Sequence, residues 1–201
     1  MIINETEVAD ALLEIKEILA STEIRPTIFD PEQDDLIWSK SLPFFPIPFF
    51  NESRGIKTTS ILKRKPKTLK NVYAARITKE GFPSNIFDFG GHGRIVSEYI
   101  SYQKGDSIIT IQYDDMEEPI RIFKVNKKNG KYTSSIELNE DGEYTFEKYI
   151  YSEDIISEVL VCGTNHLKPY ARKKITYNSK GSIENLYHVF NGEKIYTFKA
   201  S

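Results

Sequence analysis

The chain has 201 residues, enough for one domain with a self-sufficient hydrophobic core. Hydrophobic residues make up 39% of it and charged residues 28%, which excludes intrinsic disorder, collagen-like sequence and low-complexity sequence. The 27 basic and 29 acidic side chains give a formal charge of −2, so no global field attracts the protein to nucleic acid or to an anionic membrane.

The first predicted element is an amphipathic helix close to the N-terminus. Asn4 followed three positions later by Glu7 is typical of a helix N-cap, and apolar residues recur at helical spacing from Val8 to Leu19. One stripe of this helix is apolar, while its charged residues lie mostly elsewhere. We therefore expect the helix to pack on one face or one end of a sheet.

Residues 26–50 combine five prolines with a high density of aromatic residues. The prolines exclude a helix interior and a central strand, and the aromatic residues are too apolar for a free linker. We favour an extended cover that crosses the core, and the alternative is an aromatic surface presented to a ligand. We expect residues 1–70 to pack on a sheet formed by residues 71–201, as one compact unit. The aromatic residues of the segment include Trp38, Phe44, Phe45, Phe49 and Phe50.

From residue 71 onwards, short runs rich in Ile, Val, Tyr, Phe and Thr alternate with glycine-containing turn signals. No helical segment separates the runs, so the connections predict antiparallel hairpins. The sequence therefore predicts a mainly β fold. It is a long antiparallel β-meander of about nine or ten strands, a curved sheet or half-barrel, with the N-terminal helix added. The runs are residues 71–79, 94–102, 107–114, 119–126, 132–139, 144–151, 155–162, 172–178, 185–190 and 194–200.

Several runs carry large side chains on both strand faces, as residues 119–126 and 144–151 do. Both faces of the sheet are therefore partly covered. Two arrangements satisfy this pattern: the helix and the aromatic segment cover the sheet on one side, or the sheet curls into a half-barrel around its own core.

The sequences IITIQYDD at 108–115 and KITYNSKGSIENLYHV at 174–189 resemble the hairpin repeat of RHS/YD proteins. In that repeat a strand ending in Tyr and Asp precedes a glycine turn. Tyr177 and Asn178 with Gly181 fit the pattern, whereas Tyr113 and Asp114 lack the following glycine. The resemblance covers residues 94–198 at most and implies a β-meander. A small meander with an N-terminal helix is also similar to immunity proteins of bacterial polymorphic toxin systems, which implies a role in toxin neutralisation.

Residues typical of catalysis are scattered. His92, His166 and His188 show no metal-ligand spacing, and Cys162 ends an apolar strand, where a buried, inert thiol is expected. We therefore expect a protein that is not an enzyme and that holds no metal or cofactor. The carboxylates of residues 114–118 match a glycosidase pair in type, but we favour a solvated turn.

The segment GGHGR is the most unusual local sequence, because its glycines permit close backbone approach and its His and Arg can hold an anion. We favour a wide turn, and the alternative is a site for a small-molecule or phosphate ligand. Its residues are Gly90, Gly91, His92, Gly93 and Arg94.

Charge is strongly segregated along the chain. Residues 51–80 contain nine basic and two acidic side chains, and residues 137–158 contain eight acidic side chains and one basic side chain. The basic residues within 54–79 suit an exposed loop or, as an alternative, weak binding of nucleic acid. The acidic hairpins suit soluble strand edges or a docking face for a basic protein. We expect that face to contain Glu137, Glu140, Asp141, Glu143, Tyr144, Glu147, Tyr149, Tyr151, Glu153 and Asp154.

The single cysteine excludes an internal disulfide and favours a reducing compartment. No apolar run approaches the roughly 20 residues that span a bilayer, and the N-terminus lacks a signal-peptide pattern. We therefore expect a cytoplasmic protein with no membrane partner. Its leading predicted function is to bind another protein, a toxin domain that it neutralises.

Overall fold

A computed structural model describes residues 2–21, 24, 26, 29–30, 36–43, 45–57, 61–165 and 170–200. Phe44 and His166, named above, lie outside these residues. The chain forms one α-helix, α1 (Glu5–Ser21), and a short 3₁₀ helix (Glu52–Arg54). The strands are β1 (Leu36–Ser39), β2 (Ile61–Leu62), β3 (Val72–Ile77), β4 (Pro83–Phe89), β5 (Ile95–Lys104), β6 (Ser107–Asp114), β7 (Pro119–Lys128), β8 (Lys131–Asn139), β9 (Tyr144–Ser152), β10 (Ile155–Gly163), β11 (Ala171–Tyr177), β12 (Ile183–Phe190) and β13 (Glu193–Lys199).

The predicted helix is confirmed, and the predicted cap begins it. The Glu7 amide donates a hydrogen bond to Asn4 Oδ1 at 2.7 Å, which satisfies one of the free N–H groups of the first turn. The apolar stripe buries Val8, Ile15 and Ile18 against the sheet. The helix thus contributes to a core on one face of β7 and β8.

The mainly β fold is also confirmed. All thirteen strands form one antiparallel sheet, in which the order follows the chain from β13 back to β3 and then continues with β1 and β2. The ten predicted runs correspond to β3 and to β5–β13, so the expected count of nine or ten strands was too low. The three additional strands are β1, β2 and β4.

The helix and the aromatic segment cover opposite faces of the sheet, which differs from the first of the two expected arrangements, in which both lie on one side. Ile122 of β7 packs in the core beneath α1, whereas the adjacent Phe123 packs against Leu42, Ile47 and Phe50 of the aromatic segment. Successive residues of a strand point to opposite faces, so the two cores are separated by the sheet itself. The favoured interpretation of this segment, a cover across the core, agrees with this packing.

The sheet curls strongly around residues 42–57. Phe50 contacts Phe123 of β7 with ring centroids 5.6 Å apart, while a Cβ placed on Gly55 would lie 3.2 Å from the Thr197 carbonyl oxygen of β13. Six strand spacings separate β7 from β13, roughly 29 Å in a flat sheet. One short segment reaches both strands only because the sheet bends toward it. The outer strands of the sheet, β13 and β2, do not pair with each other, so the curled sheet stays open along the described residues.

Within the part of the chain that the structure describes, no helix is long and apolar enough to cross a membrane.

Candidate functional site

The hairpin turns of a meander alternate between the two ends of the sheet. The β6–β7 and β8–β9 turns therefore lie at the same end, and a hydrogen bond from the Glu140 amide to the Ile120 carbonyl at 3.0 Å connects them. We call residues 114–118 and 140–143 the acidic rim. Its exposed carboxylates are those of Asp115, Glu117, Glu118, Glu140, Asp141 and Glu143.

Local hydrogen bonds fix the shape of the acidic rim. Asp114 Oδ1 accepts from the amides of Met116 and Glu118, both at 2.9 Å, which holds the β6–β7 turn. Asn139 Oδ1 accepts from the Glu143 amide at 2.8 Å in the β8–β9 turn. The turn backbone is therefore ordered, and the Met116 side chain between the carboxylates is 76% exposed. The rim combines negative charge with one exposed apolar group.

A second exposed feature lies at the same end of the sheet, on the β12–β13 hairpin. Val189, Phe190, Ile195 and Tyr196 of this hairpin are each between 43% and 55% exposed. We call these four residues the apolar tip. Phe190 and Ile195 lie on one face of the hairpin and Val189 and Tyr196 on the other. Exposed large apolar residues on one element are typical of a protein interaction surface.

The predicted docking residues do not form one face. Glu153 and Asp154 lie in the β9–β10 turn at the opposite end of the sheet, about 30 Å along β9 from the rim at 3.3 Å per residue. There Lys131 Nζ binds Asp154 Oδ1 at 2.7 Å, and this hydrogen bond lowers the pKa of the Asp154 carboxyl. Tyr151 lies half-buried toward that same end. Among the ten residues, Glu140, Asp141 and Glu143 belong to the acidic rim, and the half-buried Tyr144 directly follows it.

Glu147 and Tyr149 are buried on the concave side of the sheet, so neither is available to a surface partner. Ser135, Glu147 and Tyr149 form a closed network, with Ser135 Oγ 2.7 Å from Tyr149 Oη and both hydroxyls within 3.2 Å of Glu147 Oε2. Burial raises the pKa of the Glu147 carboxyl, and the nearby charge of Lys173 opposes this shift. The three residues stabilise the interior.

Glu137 also lies on the concave side, half-buried between two guanidinium groups. It binds Arg54 Nη2, and Arg121 Nε lies 3.3 Å from its other carboxylate oxygen. Arg54 in addition stacks on Phe50, with its Cζ 3.5 Å from the ring centroid. Arg54 belongs to the predicted basic segment, and its contacts with Glu137 and Phe50 stabilise the fold.

Two clefts lie between the concave face and residues 40–57. The inner cleft, of about 220 Å³, is lined by Ser135, Glu147 and Lys173 together with Glu137 and Arg54. The outer cleft, of about 310 Å³, lies on the other side of Arg54. The cationic and tyrosine side chains that line the outer cleft are Lys40, Arg54, Lys57, Tyr73, Tyr99 and Arg121. Sequence reasoning missed both clefts, because they form only when the aromatic segment lies in the curled sheet.

The segment GGHGR forms the β4–β5 turn. The Gly90 amide donates to the Arg94 carbonyl and the Gly93 amide donates to the Gly90 carbonyl, each at 2.9 Å. The side chains of His92 and Arg94 are exposed on this turn. The geometry is that of the favoured wide turn, and anion binding by these residues stays an untested alternative.

The remaining basic residues of 54–79 are mostly exposed in the connection between β2 and β3, where Lys63, Arg64, Lys67 and Lys70 lie at the surface.

Cys162 is buried, and burial raises the pKa of its thiol. Within the described residues, no three His, Cys, Asp or Glu side chains come together as ligands for a metal ion.

No protein-family model matches the chain, and no curated protein matches it either.

Proposed function

We propose that this chain is a non-enzymatic protein that binds another protein, and that it acts as an immunity protein by neutralising a bacterial toxin domain. The observation that carries the proposal is the placement of the acidic rim and the apolar tip at one end of the same sheet. Negative charge and exposed apolar area together suit a partner whose surface is basic with apolar pockets.

The acidic rim supports fast capture of such a partner. Six exposed carboxylates lie on two neighbouring turns, and none of them forms an ion pair within the described part of the chain. Unpaired surface charge of one sign accelerates the encounter with an oppositely charged surface, by a mechanism that salt screens. A nuclease toxin, whose active site attracts phosphates, presents a basic surface of this kind.

The apolar tip supports a long-lived complex. Aromatic and aliphatic anchors determine most of the dissociation rate once they are desolvated at an interface. Phe190 is the largest apolar side chain of the tip that is more than half exposed. We therefore expect Phe190→Ser to accelerate dissociation while it changes the association rate little.

The test is co-expression with the protein encoded by the reading frame immediately upstream, which the proposal takes to be the toxin domain, followed by binding kinetics on the purified pair. The rim variant carries Asp115→Lys, Glu140→Lys and Asp141→Lys. Its matched control carries Glu80→Lys, Asp106→Lys and Glu153→Lys, which make the same change in net charge at exposed positions on the opposite end.

We expect the rim variant to associate at least about tenfold more slowly at low salt and to lose most of its salt dependence, while the control retains the parental rate. If both variants associate equally fast, the rim is not the docking surface. If the parental chain neither binds nor neutralises the upstream domain, the immunity function is wrong.

A further inference from the structure

The outer cleft has an unusual charge for a protein with a net charge of −2. Four cationic side chains line it, those of Lys40, Arg54, Lys57 and Arg121, and its lining contains no carboxylate. Cations gathered around one concave space create a positive potential that concentrates anions there. The cleft lies between residues 40–57 and strands β3, β5 and β7.

Glu137 orients the two arginines from behind the cleft. Its carboxylate binds Arg54 and lies 3.3 Å from Arg121 Nε. That ion pair engages Arg121 through Nε, and no described residue binds its two Nη atoms. Two parallel N–H groups in a fixed plane match the oxygens of a phosphate or carboxylate.

Two tyrosines add ring surface, and the Tyr73 hydroxyl donates its hydrogen bond to Asp88. Burial, reinforced by the charge of Asp88, raises the pKa of Tyr73 to about 12 and raises the pKa of Tyr99 further. Both hydroxyls therefore stay protonated at neutral pH. Leu42, Phe50 and the ring of Tyr99 give the cleft an apolar wall beside the cations.

We propose that the outer cleft binds a small organic phosphate, whose phosphoryl group contacts Arg121 and Lys40 and whose ring packs against Phe50 and Tyr99. The Arg121 guanidinium and the Lys40 ammonium together suit the double charge of a phosphate monoester better than the single charge of a carboxylate. A volume of about 310 Å³ is at the lower end of the range for small-molecule sites, which fits one ring with one phosphate. The site is separate from the acidic rim and the apolar tip.

The test is isothermal titration of the purified full chain with three probes: phenyl phosphate, inorganic phosphate and phenol. We expect phenyl phosphate to bind at least about tenfold more tightly than inorganic phosphate, and phenol to give no measurable binding. Arg121→Gln should weaken phenyl phosphate binding by at least about tenfold, because it removes the charged fork.

Two further variants keep the test decisive. Lys40→Gln alters an exposed cation of the cleft, and it should weaken binding several-fold even if Arg121→Gln fails to fold. Lys104→Gln, an exposed lysine at the opposite end of the sheet, should leave binding unchanged.

Three results would overturn the proposal. They are no binding of phenyl phosphate, equal affinity for inorganic and phenyl phosphate, and equal weakening by Lys40→Gln and Lys104→Gln. Because the probes are small molecules, none of these results bears on capture of a protein partner.

Discussion

The buried network on the concave face gives a sharp test of what stabilises the curled sheet. Tyr149→Phe removes a hydroxyl that lies 2.7 Å from Ser135 Oγ and 3.0 Å from Glu147 Oε2, and it leaves the ring in place. Both neighbours are more than nine-tenths buried, so water does not replace the lost hydroxyl freely. The Ser135–Glu147 hydrogen bond at 3.2 Å remains and limits the loss.

The expected magnitude follows from these contacts. A hydrogen bond contributes about 0.5–1.5 kcal/mol net, and more when the acceptor is charged or is left buried without a partner. Two buried bonds, one of them to the Glu147 carboxyl group, give an expected loss of about 2 kcal/mol in the free energy of unfolding. For a chain of this length that corresponds to a melting temperature about 4–8 °C lower.

The measurement is urea unfolding at pH 7, followed by circular dichroism. Tyr196→Phe is the matched control, because Tyr196 is exposed and no described residue hydrogen-bonds its hydroxyl. Its free energy of unfolding should change by less than about 0.5 kcal/mol. If Tyr149→Phe unfolds within that same margin at an unchanged m-value, the network does not stabilise the sheet.

Two more predictions concern stability. Burial raises the pKa of the Glu147 carboxyl above its ordinary value of 4.5. Protonation of Glu147 therefore stabilises the folded chain fully below pH 4.5. This stabilisation is lost as the pH rises through the higher folded pKa. Glu147→Gln should therefore gain stability relative to the parental chain as the pH rises above 4.5, and a constant difference in urea titrations would contradict this. Gly90→Ala should cost about 1–3 kcal/mol because its Cβ would lie 2.7 Å from Val96 Cγ1, whereas Gly91→Ala meets nothing closer than 3.8 Å. Adding Val96→Ala should recover the loss, and a loss that persists in the double variant would exclude the clash as its cause.

The meander was predictable because its strands pair with their sequence neighbours. Turn residues mark almost every hairpin: Asn129 and Asn191 adopt positive φ next to Gly130 and Gly192, as tight hairpin turns require. The strands that escaped prediction lack such signals. β4 begins at Pro83, and β1 is four residues long and lies between β2 and β3, an order that no local pattern indicates.

Part of the candidate site was also predictable. Turns of a meander alternate between its ends, so the turns at 114–118 and 140–143 must share one end and the turn at 153–154 must lie at the other. Strand counting alone would have joined the first two and separated the third. The prediction instead grouped residues by their distance along the chain, which places Glu143 and Glu153 together although a whole strand separates them.

The burial of Glu147 was not predictable from its strand. In YTFEKYIY the charged and apolar residues alternate in a way that allows either face to be exposed. Glu147 is buried because residues 42–57, about 100 positions earlier in the chain, lie over the concave face. Long-range packing of an irregular segment leaves no periodic signal in the strand that it covers.

The aromatic segment packs on the core of the concave face and also borders the outer cleft, and a variant can separate these two roles. Phe50 packs on Phe123 and also borders the outer cleft, and Arg54 holds Phe50 by stacking while its Nη1 donates to the Phe50 carbonyl at 3.1 Å. Substituting Arg54 would therefore disturb the curl of the sheet together with the charge of the cleft. Arg121 reaches the same cleft from β7 and contacts Glu137 only through Nε. Arg121 therefore reports on anion binding with less effect on the fold, and this difference makes it the better position at which to test the cleft.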